Sequence, residues 1–208
     1  YAEAGREIVC FSISAGMSTS GNVMRLAAEE LGASDRIKVI DSANLSTGIG
    51  LLVVEAAIMA KNNRTASQIV SEIERLKPNV RASFVVDTLT YLYRGGRCNA
   101  VAAMAGGVLK LHPRIVVEDG AMNASKKYRG KIASVVMNYV KDMEKDLKNA
   151  RPERVFITHS GCKQETVEKV RAYLEELDVF DEILETRAGG VISSHCGPGT
   201  LGVLYIAK

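Results

Sequence analysis

Short apolar runs of strand length alternate with longer stretches whose apolar residues recur every three or four positions, and this alternation most constrains the fold. Ile8-Val9-Cys10-Phe11-Ser12-Ile13 predicts a short buried strand. It leads through the small, polar stretch Ser14-Ala15-Gly16-Met17-Ser18-Thr19-Ser20-Gly21 into a helical stripe of Met24, Ala27, Ala28 and Leu31, stopped by Gly32. Ile37 to Asp41 predicts a second strand, and Ile49 to Ala60, apolar nearly all round, predicts a buried helix. Thr65-Ala66-Ser67-Gln68 has the form of a capping box, with Ile69, Ile73 and Leu76 as the buried stripe and Pro78 as the stop. Ala82 to Val86 predicts a third strand. Strands separated by helices are the pattern of a parallel sheet with crossover helices.

The second half reads differently. Ile115 to Glu118, the Asp119-Gly120 turn and Ala121 to Ser125 predict a hairpin. Ile132, Val135, Val136, Tyr139, Val140, Met143 and Leu147 mark the clearest amphipathic helix. Arg154 to Thr158 predicts a strand, Val167, Val170, Leu174 and Leu177 a helix, and Glu182 to Arg187, Val191 to Ser194 and Val203 to Ile206 the closing strands. The fold class is therefore α/β in two lobes. A parallel α/β sheet lobe, 1–87, precedes a mixed or antiparallel sheet lobe with helices on one face, 88–208, joined near Asp87 to Arg97. The 208 residues are enough for an ample core.

Composition removes several function classes. Basic residues exceed acidic ones by only three, and the densest basic stretch, Lys126-Lys127-Tyr128-Arg129-Gly130-Lys131, is one short patch, so nucleic-acid binding is not expected. The apolar run Leu51 to Val54 is broken by Glu55, far short of the ~20 residues a spanning helix needs. The opening Tyr-Ala-Glu-Ala-Gly-Arg is not expected to be a signal peptide, and the chain begins with Tyr1 and not Met. Cysteines stand at 10, 98, 162 and 196 without a C-x-x-C pair. His159-x-x-Cys162 and His195-Cys196 are too sparse for a metal site, and the thiols are expected to be reduced.

Three segments could carry chemistry. The stretch Ser14 to Gly21 gathers hydroxyls and backbone N–H groups at a helix N-terminus, a place that favours phosphate or carboxylate. Its Gly16-Met17-Ser18-Thr19-Ser20 also nearly matches the nucleophile elbow G-x-S-x-G, and Ser18, Asp87 and His195 occur in hydrolase order. That keeps a serine-type acyl hydrolase built on Ser18 and His195 as an alternative. Tyr93-Arg94-Gly95-Gly96-Arg97 sets a tight turn beside a guanidinium, suited to a carboxylate. Ser193-Ser194-His195-Cys196-Gly197-Pro198-Gly199-Thr200-Leu201-Gly202 places a histidine before a Gly-Pro-Gly turn. No G-x-x-x-x-G-K-[ST] or G-x-G-x-x-G is present, so nucleotide binding lacks a motif. A structural or regulatory module without ligand is the third class.

Five ordered segments resemble one family, the DegV proteins of bacteria. Ser14 to Ser20 resembles its S-S-x-L-S-G-T element, and Val39-Ile40-Asp41-Ser42 with Gly48-x-Gly50 its next segment. Leu89-x-Tyr91-Leu92-x-x-Gly95-Gly96-Arg97 resembles L-x-Y-L-x-x-G-G-R, and Lys110-Leu111-His112-Pro113-Arg114-Ile115 with Glu118-Asp119-Gly120 resembles N-I-K-P-I-L…D-G. His195 to Gly202 resembles H-x-G-P-G-x-[LV]-G. The chain departs from the pattern at Ala15, Thr19, Ser20 and His112, and it lacks the family's further N-terminal stretch, so the first lobe is incomplete relative to the family.

The resemblance implies a cytoplasmic fatty-acid-binding protein and not an enzyme. A long-chain fatty acid is expected in a tunnel between the lobes, its carboxylate held by Ser18, Arg97 and His195 with Ser14 and Thr19 close by. The partner implied is a kinase subunit of the dihydroxyacetone-kinase type, which makes the acyl phosphate. Arg129 and the other basic residues from Lys126 to Lys131 are candidates for that contact. No cofactor and no metal are implied.

Overall fold

The computed structural model describes residues 5–97 and 111–208. The chain divides into two compact units, Tyr1–Val80 with Glu118–Ala121, and Arg81–Val117 with Met122–Lys208. Cys98 and Lys110 lie outside the described residues.

In the first unit β1 (Ile8–Ser12) and β2 (Ile37–Asp41) pair in parallel, Ile8 opposite Ile37 and Ser12 opposite Asp41. Between them runs α1 (Ser20–Glu30), followed later by α2 (Ser46–Lys61) and α3 (Ala66–Leu76). The capping box forms as expected. Thr65 Oγ1 accepts the Gln68 N–H at 3.3 Å, and Gln68 Oε1 accepts the Thr65 N–H at 3.1 Å. Ile69, Ile73 and Leu76 are buried behind it, and Pro78 sits in a 3-10 turn, Lys77–Asn79, that closes the helix.

Two helices bury less than their patterns predict. In α2, Leu51, Leu52 and Ala56 are buried, yet Val53 and Ile58 are 41% and 42% exposed. The helix packs chiefly on α3 and β1, so part of its apolar surface meets solvent. In α1 the buried residues are Gly21 and Ala28, while Met24, Ala27 and Leu31 are exposed. The smallest side chains mark the close approach: a Cβ on Gly21 would lie 2.6 Å from Ser12 Oγ. Among the described residues β1 pairs with β2 alone. A groove of about 420 Å³ opens beside β1, lined by Val9, Phe11, Ala56, Ala57, Arg64 and Ile69 among others.

The second unit is built on a six-stranded sheet. Its elements are β3 (Val80–Val85), α4 (Thr90–Arg94), β4 (Leu111–Glu118), β5 (Ala121–Arg129), α5 (Ile132–Asp142), α6 (Glu144–Lys148), β6 (Ala150–Ser160), α7 (Gln164–Glu176), β7 (Ile183–Arg187), α8 (Gly190–Cys196) and β8 (Thr200–Ala207). The spatial order is β5-β4-β3-β8-β6-β7. β3 pairs antiparallel with β4, β6 antiparallel with β8, and β6 parallel with β7, so the sheet is mixed. β3 thus stands in this sheet and not beside β2. The Asp119-Gly120 turn has φ of 50° and 75°, the pair of positive values that a two-residue hairpin of type I′ requires.

One expected strand is a helix. Val191 to Ser194 falls within α8, bounded by Gly189 and by Gly197 at φ 79°. The β-branched pair Val191-Ile192 suggests a strand, but Val191 is 72% exposed and the flanking glycines are helix boundaries. The long amphipathic helix is also interrupted at Met143, where α5 gives way to α6.

Residues from α5, α6 and α7, including Val136, Leu147 and Val170, form one core with Val85, Ile157 and Val203 of the sheet. Tyr139 lies fully buried in it. Its hydroxyl donates to Ser83 O at 2.7 Å and accepts the Val203 N–H at 3.0 Å, so a side chain of α5 bridges β3 and β8. Burial raises the pKa of that phenol above its ordinary value, which holds it as the O–H donor. Tyr139→Phe would leave a buried N–H and a buried C=O short of a partner. The expected loss is about 1–3 kcal/mol of stability, measured by urea unfolding, with the denaturant slope unchanged.

Candidate functional site

The segment Ile13 to Thr19 links β1 to α1. Ser14 is buried, and its hydroxyl donates to Gly120 O at 2.6 Å while accepting the Gly16 N–H at 3.2 Å. Asp41 closes the neighbouring loop, with Oδ2 accepting the Ala15 N–H and Oδ1 the Ala43 N–H. Ser14 therefore has its hydrogen committed to shaping the loop. Ser18 is half-buried, its Oγ 2.8 Å from Ser20 Oγ and accepting the Ser20 N–H at 3.2 Å. Thr19 is exposed and stands at the N-cap of α1 without a side-chain capping bond. Hydroxyls of Ser18 and Thr19 thus remain accessible at a helix start, where backbone N–H groups and the helix dipole favour an anion.

The other two segments meet within the second unit. After α4 the chain turns on Gly95 and Gly96, with the Gly95 N–H on Tyr91 O and the Arg97 N–H on Leu92 O. Gly96 has φ 68°, which suits a glycine at a helix end. Arg97 is exposed, and among the described residues one of its five guanidinium N–H groups donates to Gly95 O, at 2.8 Å. At α8, His195 lies directly over Gly95, where a Cβ would overlap His195 Nδ1. Reciprocally, a Cβ on Gly197 would overlap the Tyr91 ring. Two glycines are each filled by a ring from the opposite segment. The sequence marks both glycine turns but carries no signal that they pack on one another.

The titratable groups of this unit differ in what they meet. His195 Nδ1 is buried without a hydrogen-bond partner among the described residues. Asp87, the third member of the possible triad, has Oδ1 3.4 Å from Nδ1 of another histidine, His112. Burial pushes the Cys196 thiol up to about 11, and the Cys162 thiol likewise, so both stay protonated at neutral pH. Cys162 Sγ donates to Thr200 O, and His159 Nε2 lies 3.6 Å from Glu185. Among the described residues, no three His, Cys, Asp or Glu side chains stand together as a metal would need, and no helix is long and apolar enough to cross a membrane. In the basic patch Lys126 pairs with Asp142 and Tyr128 is buried, while Lys127, Arg129 and Lys131 are exposed.

A family model described as "Uncharacterised protein, DegV family" matches residues 1–208. A DegV domain-containing protein of Clostridium perfringens is 33% identical over 210 residues, covering 99% of this chain and 72% of its own. Among solved structures, a DegV family protein of Thermus thermophilus described by its fatty-acid binding superposes with a TM-score of 0.88 at 27% identity, covering 100% of this chain and 74% of its own. A stearic-acid-binding protein of Eubacterium ventriosum has a TM-score of 0.81 at 28% identity, with 100% and 72% covered.

The glycine interlock has a direct test. Gly197→Ala adds a methyl group against Tyr91 at a positive φ, and the overpacking is expected to cost about 1–3 kcal/mol. Gly190→Ala, in the same helix with nothing within 4 Å, should leave the thermal midpoint unchanged or raised.

Proposed function

This chain belongs to the DegV family, and from that membership we propose that it binds a long-chain fatty acid and presents the carboxylate to a separate kinase subunit that makes the acyl phosphate. The observation that supports the head-group assignment best is the interlock of the Gly95-Gly96-Arg97 turn with His195: the partly buried imidazole lies over Gly95, and Gly95 O is the acceptor of an Arg97 guanidinium N–H. Arg97 and His195 in the second unit, and the hydroxyls of Ser18 and Thr19 at the start of α1 in the first, with Ser14 shaping that loop, are each of the kind that an ionised carboxylate needs when withdrawn from water. Each buried CH₂ of the ligand contributes roughly 0.8 kcal/mol, so the tail dominates affinity and the polar groups set orientation. The protein is proposed to act in the cytoplasm.

An acyl hydrolase is the weaker reading. A serine nucleophile needs a base that is itself oriented by a third group. His195 Nδ1 has no such partner, and the Asp87 carboxylate is engaged with His112. An active-site phosphonate is expected to leave Ser18 unlabelled; stoichiometric labelling there would reverse the preference.

Native mass spectrometry of gently purified protein should reveal a co-purified fatty acid. Arg97→Ala and His195→Ala should each weaken oleate binding by about 1.5–3 kcal/mol, read by calorimetric titration. Affinities equal to wild type in both would remove these residues from the site. For the partner contact, Lys127→Glu with Arg129→Glu should slow acyl-phosphate formation in a reconstituted kinase assay while oleate affinity holds. Unchanged turnover would free the patch of that role.

A further inference from the structure

Asp87 and His112 are a cross-strand pair. β3 and β4 run antiparallel with Val85 opposite Arg114, and the Val86 N–H bonds Pro113 O at 3.3 Å, so the register continues to place residue 87 opposite residue 112. The His112 side chain is only 7% exposed. Its Nε2 is 2.9 Å from Gly130 O, and because a carbonyl only accepts, Nε2 carries hydrogen there. Nδ1 faces the half-exposed Asp87 carboxylate, 3.4 Å from Oδ1, and makes no hydrogen bond among the described residues. A carboxylate only accepts, so Asp87 offers Nδ1 an acceptor.

Asp87 occupies the junction of both interlocked segments. One residue later Thr88 Oγ1 accepts the Thr90 N–H and starts α4, whose far end carries Gly95, Gly96 and Arg97. On its other side, a Cβ on Gly199, in the turn after α8, would lie 3.8 Å from Asp87 Cβ. His112 is fixed to the sheet at β4 and to the β5–α5 connection at Gly130, and it reaches this junction through one contact.

We propose that His112 is a positioning residue for the fatty-acid head group, acting through Asp87 to fix the turn that bears Arg97 against His195. This rests on the head-group site proposed above. Two substitutions divide the imidazole into its halves. His112→Asn keeps a donor near the Nδ1 position, facing Asp87; His112→Gln keeps one near Nε2, facing Gly130. A merely structural anchor at Gly130 would be rescued by Gln, a positioning contact by Asn.

Oleate titrated into the full chain is the probe. His112→Gln and Asp87→Asn are each expected to weaken binding about tenfold, equivalent to 1.4 kcal/mol. His112→Asn should stay close to wild type, and the Asp87→Asn, His112→Gln double variant should bind no more weakly than either single one. Wild-type affinity in His112→Gln, or additive losses in the double variant, would overturn the proposal. Amide hydrogen exchange over residues 90–97 supplies a readout that needs no ligand. Exchange should quicken in His112→Gln and Asp87→Asn and not in His112→Asn. If wild-type protein fails to bind oleate, the head-group reading fails; unchanged exchange in all three variants would separately dismiss the positioning role.

Discussion

The Tyr139 hydroxyl joins the middle of the six-stranded sheet, and much of the second unit follows from that junction. It couples β3, from the centre of the chain, to β8, its last strand, through Ser83 O and the Val203 N–H. Gly202 permits the same approach, since a Cβ there would meet Ser83 O at 2.8 Å and Phe84 Cβ at 3.1 Å. With these residues side by side, the C-terminal end of β3 lies beside the start of β8, where Asp87 abuts Gly199. The segments leaving and entering the sheet at that end are α4 and α8. A buried phenol among apolar residues of α5 therefore bonds to both of the paired strands whose ends carry those loops, although its two partners are far from it along the chain.

Close packing then does what hydrogen bonding alone would not. α4 and α8 are short, five and seven residues, below the length at which a helix is stable by itself. They hold one another because each ends in a glycine that the other fills with a ring. The geometry leaves the polar ends, Arg97 and His195, incompletely satisfied, whereas the hydroxyl of Ser14 is fully committed to its loop.

Local signals are readable where they act over a few residues. Thr65-x-x-Gln68 caps its helix and Asp119-Gly120 makes its hairpin, because a cap and a type I′ turn depend on the residues that form them. The strand pattern at Val191-Ile192 fails for the same reason reversed: a run of four residues cannot separate a period of two from a period of 3.6, and the bounding glycines are the stronger signal. Placement of β3 is beyond any local signal, since strand order is set by long-range contacts such as those of Tyr139. The motif segments are likewise legible as an ordered series, and they single out Ser18, Thr19, Arg97 and His195. That Gly95 and Gly197 serve to receive His195 and Tyr91 becomes visible only in three dimensions.

His112 shows how a departure from a family pattern can be absorbed by the fold. Its buried ring is set between the Gly130 carbonyl and the half-exposed Asp87 carboxylate, both of them acceptors. The ring presents its two nitrogens in fixed directions, Nδ1 toward Asp87 and Nε2 toward Gly130, an angle that a single flexible cation would not fix. The second contact matters because the β5–α5 connection at Gly130 has φ 123°, a conformation that L side chains rarely adopt, so its carbonyl direction is dictated by glycine and needs a matched donor. The pair thereby ties three connections to one buried ring, and the turn bearing Arg97 is anchored by the same group that satisfies the sheet.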